Sequence, residues 1–327
     1  MPDIIGLILW PIKWVVELIL VAFHWLLTNI GLDPDAGLTW VLSIVGLVLV
    51  IRAALIPIFV RQIKSQRRMM EVAPQLKKIQ DKYKGKKDQF SREAMSRETM
   101  AMYKNTGTNP LSSCLPLLIQ MPIFFSLFSV LSHAQNHALN VKNGVETAGV
   151  GLLNDELSKS FGDASLFNIA PLHLAMSTAD GNVWVIVIAA IMVVLMTASQ
   201  FITQLQIMSK NQSKEMKESP MFKQQRVLLY LLPLVFAFSG FAFPLGVMFY
   251  WLTSNAWTMV QQFLVIRNLP TPGSEAAFAR EARLARKRQR RGIPEPISET
   301  PAVEEPKKVQ RVQPVGKNRS KKQGGKK

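Results

Sequence analysis

Cysteine occurs once, at Cys114, so an internal disulfide and a cysteine metal cluster are both excluded. Histidine is nearly as scarce. His24, His133, His137 and His173 show no metal-ligand spacing with carboxylates. His133 and His137 stand one turn apart but isolated, as ordinary surface residues do. No glycine-rich loop that could cradle phosphates is present, which removes a P-loop ATPase. Acid is short as well, with 22 Asp and Glu against 39 Lys and Arg. The expectation is therefore a protein that is not an enzyme and holds no cofactor and no metal. No small-residue cleavage site or lipid-attachment cysteine follows the first apolar run, so that segment is expected to stay in the mature chain.

What the chain does have is long apolar runs. Its 327 residues are 48% hydrophobic yet carry a net charge of +17, so apolar and basic blocks must be segregated. Six runs reach spanning length: Ile4–Ile30, Trp40–Val60, Leu111–Leu131, Val183–Ile207, Val227–Phe243 and Leu245–Ile266. About twenty apolar residues suffice for a helix to cross the hydrocarbon. The fold class is all-α, a polytopic helical membrane protein.

The connections orient the helices. Residues 61–110 hold thirteen basic residues, whereas 132–182 holds two, Lys142 and Lys159, against five acids. The loop 208–226 is basic again, and the tail 267–327 carries seventeen Lys and Arg. The positive-inside rule makes the rich segments cytoplasmic, with the C-terminus inside and 132–182 outside. The first run, 1–30, has Trp10, Trp14 and Trp25 with Lys13 and Glu17, and suits a spanning or an interfacial helix. Spanning is the reading adopted, because twenty-seven residues carry only two charges, and it places the N-terminus inside. An interfacial helix would leave five spans and move the N-terminus outside.

The run 40–60 has one full charge, Arg52, inside it. Counted back from Val60 at 1.5 Å per residue, the guanidinium lies about 12 Å from the helix end. Two readings follow. Either the span stops near Pro57 and Arg52 snorkels to the headgroups, or it lines a polar cavity within the membrane. In the following segment Met69, Val72, Leu76, Ile79 and Tyr83 recur at helical spacing, Pro74 marks a kink or a fresh start, and 90–103 forms a second arm. The region 61–110 thus reads as a cytoplasmic helical hairpin. Its apolar stripe either joins the two arms or offers a flexible surface to apolar clients.

Asn109–Pro110 is a helix-start signal for 111–131, and Gln120 at mid-span needs a polar partner. Gln200 and Gln204 are one turn apart in 183–207. The short SGFAFPLG turn makes 227–266 a two-helix hairpin, whose second helix is the most polar of the set.

Several separated motifs, in order, resemble the YidC/Oxa family of membrane protein insertases. They are Arg52 to Pro57 (RxxxxP), PQLKKIQDKYK at 74–84, NPLSSCLPLLIQMPIFFSLF at 109–128 and FPLGVMFYWLTSNAWTMVQQF at 243–263. The likeness covers about residues 10–267, and the missing large extracytoplasmic domain and long basic tail resemble a Gram-positive, actinobacterial member.

The resemblance implies a five-helix core bundle around a hydrophilic groove open to the cytoplasm. It assigns Arg52, Gln120, Gln200, Trp251, Ser254 and Asn255 to that groove. It gives the hairpin, with Met69, Leu76, Ile79 and Tyr83, a role in meeting clients or partners. The implied function is insertion of nascent membrane proteins into the plasma membrane, alone or with the Sec translocon, supplied by the ribosome and the signal recognition particle pathway. The tail beyond Gly292 reads as disordered. Its basic residues Arg286, Lys287, Arg288, Arg290 and Arg291 would contact membrane lipids or ribosomal RNA. The rival reading is a small-solute transporter or channel using the same polar residues, although no internal repeat of the transporter kind is visible.

Overall fold

The computed structural model describes residues 4–86, 88–108, 115–142, 151–212, 217, 227, 231, 238 and 240–292. The chain divides into two units, Met1–Glu281 and Ala282–Lys327. In the first, α1 (Ile4–Asn29) is followed by α2 (Gly37–Ala54), α3 (Ile56–Glu71), α4 (Ala73–Lys82), α5 (Gln89–Thr106) and α6 (Leu115–Lys142). Then come α7 (Asp155–Asp163), the two-residue strands β1 (Ser165–Leu166) and β2 (Ala170–Pro171), α8 (Val183–Lys210) and α9 (Leu245–Asn268). The last helix, α10 (Glu275–Arg290), runs into the second unit. The fifth apolar run, Val227–Phe243, and the Asn109–Pro110 start signal lie almost wholly or wholly outside the described residues, as does the tail beyond Gly292.

Among the described residues, four helical stretches are long and apolar enough to cross a membrane: Leu9–Asn29, Gly37–Ala54, Leu118–Asn136 and Val183–Lys210. The 24 residues of α9 have the length as well but are more polar. On α8, Val183, Trp184, Ile191, Val194 and Leu195 are exposed. Such a continuous apolar surface is a liability in water and the natural finish of a helix in lipid. The architecture is that of an all-α polytopic membrane protein.

Local chemistry sets the helix ends. Asn182 caps α8 by accepting from the backbone N–H groups of Trp184 and Val185. Asp88 does the same for α5 through Ser91, at 2.8 Å, and Gly107 closes that helix at φ +62°. The sequence span 40–60 is not one helix. Pro57 has no N–H to offer the Ala53 carbonyl, so α2 ends at Ala54, Leu55 forms a turn and α3 begins at Ile56. Arg52 therefore sits in the last turn of α2, not 12 Å inside a helix ending at Val60. Pro74 marks the first turn of α4, so the Met69-to-Tyr83 stripe is also split between two helices. The segment 132–182 starts as helix, because α6 continues past Leu131 to Lys142.

In the bundle α9 packs against α8 and α2, α2 against α1, and α1 against α6. A layer built from 151–182 covers one end. Leu153, Phe161, Leu166, Ala170 and Leu172 are buried in it, continuous with Trp40, Ile44 and Leu245 of the helices. Its carbonyls also satisfy the start of α9, since Leu245 N–H donates to Leu174 and Gly246 N–H to Leu172, both at 3.0 Å. Trp40, wholly buried, donates from Nε1 to Ser160 Oγ at 3.1 Å, stacks on His24 and meets Phe161 edge-on. Gly37 is needed there: a Cβ at that position would stand 2.4 Å from the Ser165 carbonyl carbon.

Candidate functional site

Between α2, α3, α6, α8 and α9 lies a cavity of about 610 Å³. Its lining follows from helical spacing. Phe59, Gln62 and Ile63 form one face of α3, Gln200 and Gln204 one face of α8, and Trp251, Ser254, Asn255, Thr258 and Gln262 one face of α9. Trp251 to Gln262 spans about 16 Å of helix at 1.5 Å per residue, running from mid-bundle toward the end that carries α3. Toward the covered end the aromatic residues close ranks. Phe124 stacks on Trp251 at 5.1 Å between ring centres, and Phe243 meets Trp251 edge-on at 4.9 Å. Beyond them the space between Leu131, Phe161, Leu172 and Val247 amounts to about 10 Å³. That is at or below what one water needs.

All six residues assigned to the groove from the sequence, Arg52, Gln120, Gln200, Trp251, Ser254 and Asn255, line this one cavity. The Arg52 guanidinium donates from Nη2 to Ser254 Oγ, and its carbon lies 5.8 Å from the centre of the Phe59 ring. Gln120 Nε2 donates to the Tyr250 hydroxyl at 2.5 Å. The buried Asn255 Nδ2 has no protein partner. Among the described residues no carboxylate lines the cavity, so the one described lining cation, Arg52, faces neutral polar groups. Sequence reasoning missed Gln62, which lay beyond the assumed span, although it shares the i, i+3, i+4 face with Phe59 and Ile63. It also left out of the site Gln204, Thr258, Gln261 and Gln262, whose signal was helical register with Gln200 and Ser254.

The α4–α5 hairpin is a second, separate surface. Ile79, 9% exposed, and Met102 are buried, so the stripe does serve to join the arms. Met69, Leu76 and Tyr83 are half-buried. Lys82 Nζ and the Tyr83 hydroxyl both donate to Glu98 Oε2, at 2.8 and 3.0 Å. These bonds hold the Glu98 carboxyl below its ordinary range, Lys82 contributing most, and Lys82 is raised in turn. The exposed apolar groups are Phe90, at 79%, and Met100 on the other arm. In the second unit Arg286, Lys287, Arg288, Arg290 and Arg291 are all exposed.

Comparison with known proteins agrees with the motifs. The family model described as 60Kd inner membrane protein matches residues 31–272. A membrane protein insertase YidC of Tropheryma whipplei is 43% identical, covering 98% of this chain and 97% of its own length. One from Streptomyces avermitilis is 45% identical over 82% of this chain and 60% of its own. A third, from Bifidobacterium longum, is 36% identical over 96% and 95%. With a family match across three quarters of its length and relatives this similar end to end, the chain belongs to the YidC/Oxa family of membrane protein insertases.

Proposed function

We propose that the polar cavity is the path by which this multi-pass membrane protein moves nascent apolar helices, with their short polar flanks, from the cytoplasm into the bilayer. The observation that carries the reading is the contrast, among the described residues, between its two ends: a polar space of about 610 Å³ on one side and the packed rings of Phe124, Phe243 and Trp251 on the other. A charged group at the bilayer centre costs about 2.5–3.5 kcal/mol on insertion scales. A hydrated cavity 16 Å deep replaces about half of a 30 Å dry path. Arg52 attracts an acidic flank while the client's apolar helix slides out against lipid. A hydrated site keeps that attraction modest, so the flank is released. No bond is made or broken.

The charge pattern orients the molecule, with the α3–α5 end and the basic tail cytoplasmic and the 151–182 layer outside. The contacts of α1 favour the interfacial reading over the spanning one. Glu17 accepts from the Leu152 N–H at 3.0 Å, and His24 bonds the Pro34 carbonyl at 2.9 Å. Both partners belong to the covered end. Glu17 and Asn29 are about 18 Å apart along the helix, so α1 runs across that end, and Trp10, Trp14 and Trp25 remain exposed as interfacial anchors. On this reading the N-terminus lies outside.

The hairpin would meet clients through Phe90 and Met100, with Met69, Leu76 and Tyr83 beside them and Ile79 supporting from within. The ribosome, the signal recognition particle pathway and, where the protein does not act alone, the Sec translocon would be its partners in such work. The basic α10 segment would contact ribosomal RNA or anionic lipid through phosphate neutralisation. Cysteines placed along α9 from Thr258 to Gln262 test the main reading. They should label from the cytoplasm only and crosslink to stalled nascent chains, whereas labelling from outside points to a solute path instead.

A further inference from the structure

The cavity's polarity is of an unusual kind. Among its described lining residues, fifteen in all, seven are primary amides, six glutamines and one asparagine, and none is a carboxylate. An amide side chain presents a donor and an acceptor side by side, in the same arrangement as a peptide group. Gln62 is the clearest case. It is 3% exposed, lines the cavity, and neither its Nε2 nor its Oε1 has a partner. The Asn255 Nδ2 across the cavity is buried and unpaired too. Native proteins rarely leave buried amides unpaired, and each such group calls for an explanation. Two further amides, Gln200 and Gln204, are set one turn apart on α8.

From this we infer that the amide lining, joined by Gln62 as it turns its covered amide toward the strand, binds the main chain of the client's polar flank in an extended conformation. This rests on the cavity being the insertion path. The geometry matches: residues four apart on a helix rise 6 Å, and alternate residues of an extended strand rise about 6.6 Å. A helical flank satisfies its own backbone and has nothing to offer these amides. An extended one exposes an N–H and a C=O at every residue, which hydrocarbon would not tolerate. It also crosses a given depth with fewer than half the residues a helix needs. Recognition of the main chain is indifferent to side-chain sequence, which suits a path used by many clients, while Arg52 adds a preference for acid.

The test uses the full-length protein in vesicles and synthetic single-span clients of identical side-chain sequence. One has an ordinary flank, and in the other, ester bonds replace alternate flank peptide bonds and remove their N–H donors. The wild-type protein should insert the ordinary flank about three- to tenfold faster than the ester flank. Gln62→Met should slow the ordinary client by a similar factor and leave the ester client nearly unchanged. Gln204→Met, at a less buried position, provides the same comparison should Gln62→Met fold poorly. Equal slowing of both clients by these variants, or equal rates of both clients on the wild-type protein, overturns the inference while leaving the path intact. Insertion of neither client above protein-free vesicles overturns the path itself, and the inference with it.

Discussion

The Arg52 guanidinium donates to the Ser254 hydroxyl, tying the last turn of α2 to the middle of α9. Ser254 is buried, and among the described residues that line the cavity none is a carboxylate, so none of them neutralises the cation that Ser254 positions. A neutral hydroxyl fixes the side chain and leaves its field available to an incoming acid.

Replacing Arg52 by alanine should therefore act selectively. Two unit charges about 5 Å apart in a hydrated site attract by roughly 1 kcal/mol, which is about fivefold in rate. Arg52→Ala should slow insertion of clients with acidic flanks by about that factor and spare neutral ones, and Arg52→Lys should restore most of the loss. Reconstituted vesicles given both clients decide it. Equal insertion of the two classes by the alanine variant refutes the role.

The covered end makes a different demand. A Cβ on Gly37 would press on the Ser165 backbone, whereas one on Gly246 would meet nothing nearer than 3.6 Å. Gly37→Ala should destabilise the protein by about 1–3 kcal/mol, the usual cost of overpacking, and Gly246→Ala by much less. Thermal unfolding of the detergent-solubilised variants ranks them, and the reverse order would contradict the packing described here.

Much of this was legible in the residues. Charge alternation and apolar runs gave the class, and the family resemblance together with the polarity of Ser254, Asn255, Gln120 and Gln200 gave part of the cavity wall. Two things were not. The break after Ala54 was only one of two readings the residues allowed, because a proline in an apolar run can be tolerated or can end the helix. The course proposed for α1 was not legible either, because a helix lying on a bilayer and one crossing it can share composition. The Glu17 bond to Leu152, a partner 135 residues away, is a tertiary fact.

The hairpin should respond to acid. The folded-state carboxyl of Glu98 lies below its ordinary value, so its bonds to Lys82 and Tyr83 contribute fully above the ordinary carboxylate range. That contribution fades as pH falls through the lowered value. Lys82 is raised, so its share is lost only as pH rises through its elevated value, far into alkali. Once corrected for the intrinsic pH dependence of amide exchange, hydrogen exchange of α4 and α5 should be unchanged across neutral pH and accelerate in acid. Glu98→Gln should show the faster exchange already at neutral pH, and an unchanged profile in that variant would remove the pair from the account.

The course of α1 yields the sharpest topological outcome. With α1 lying across the outer end, a cysteine introduced at Asp3 should react with a membrane-impermeant maleimide in intact cells from which only the cell wall has been removed. A spanning α1 would protect it until lysis. The two arrangements differ in the side on which Asp3 lies, so the result does not depend on fine geometry. Glu17→Ala supplies the structural half of the argument. It leaves the Leu152 N–H without its acceptor and should loosen the 151–153 turn, where Gly151 at φ +57° passes directly over the carboxylate. Faster exchange at Leu152 and Leu153 in that variant, with Asp3 still labelled from outside, would join the helix to the cap that seals the cavity. Protection of Asp3 in intact cells would restore the spanning helix and a cytoplasmic N-terminus.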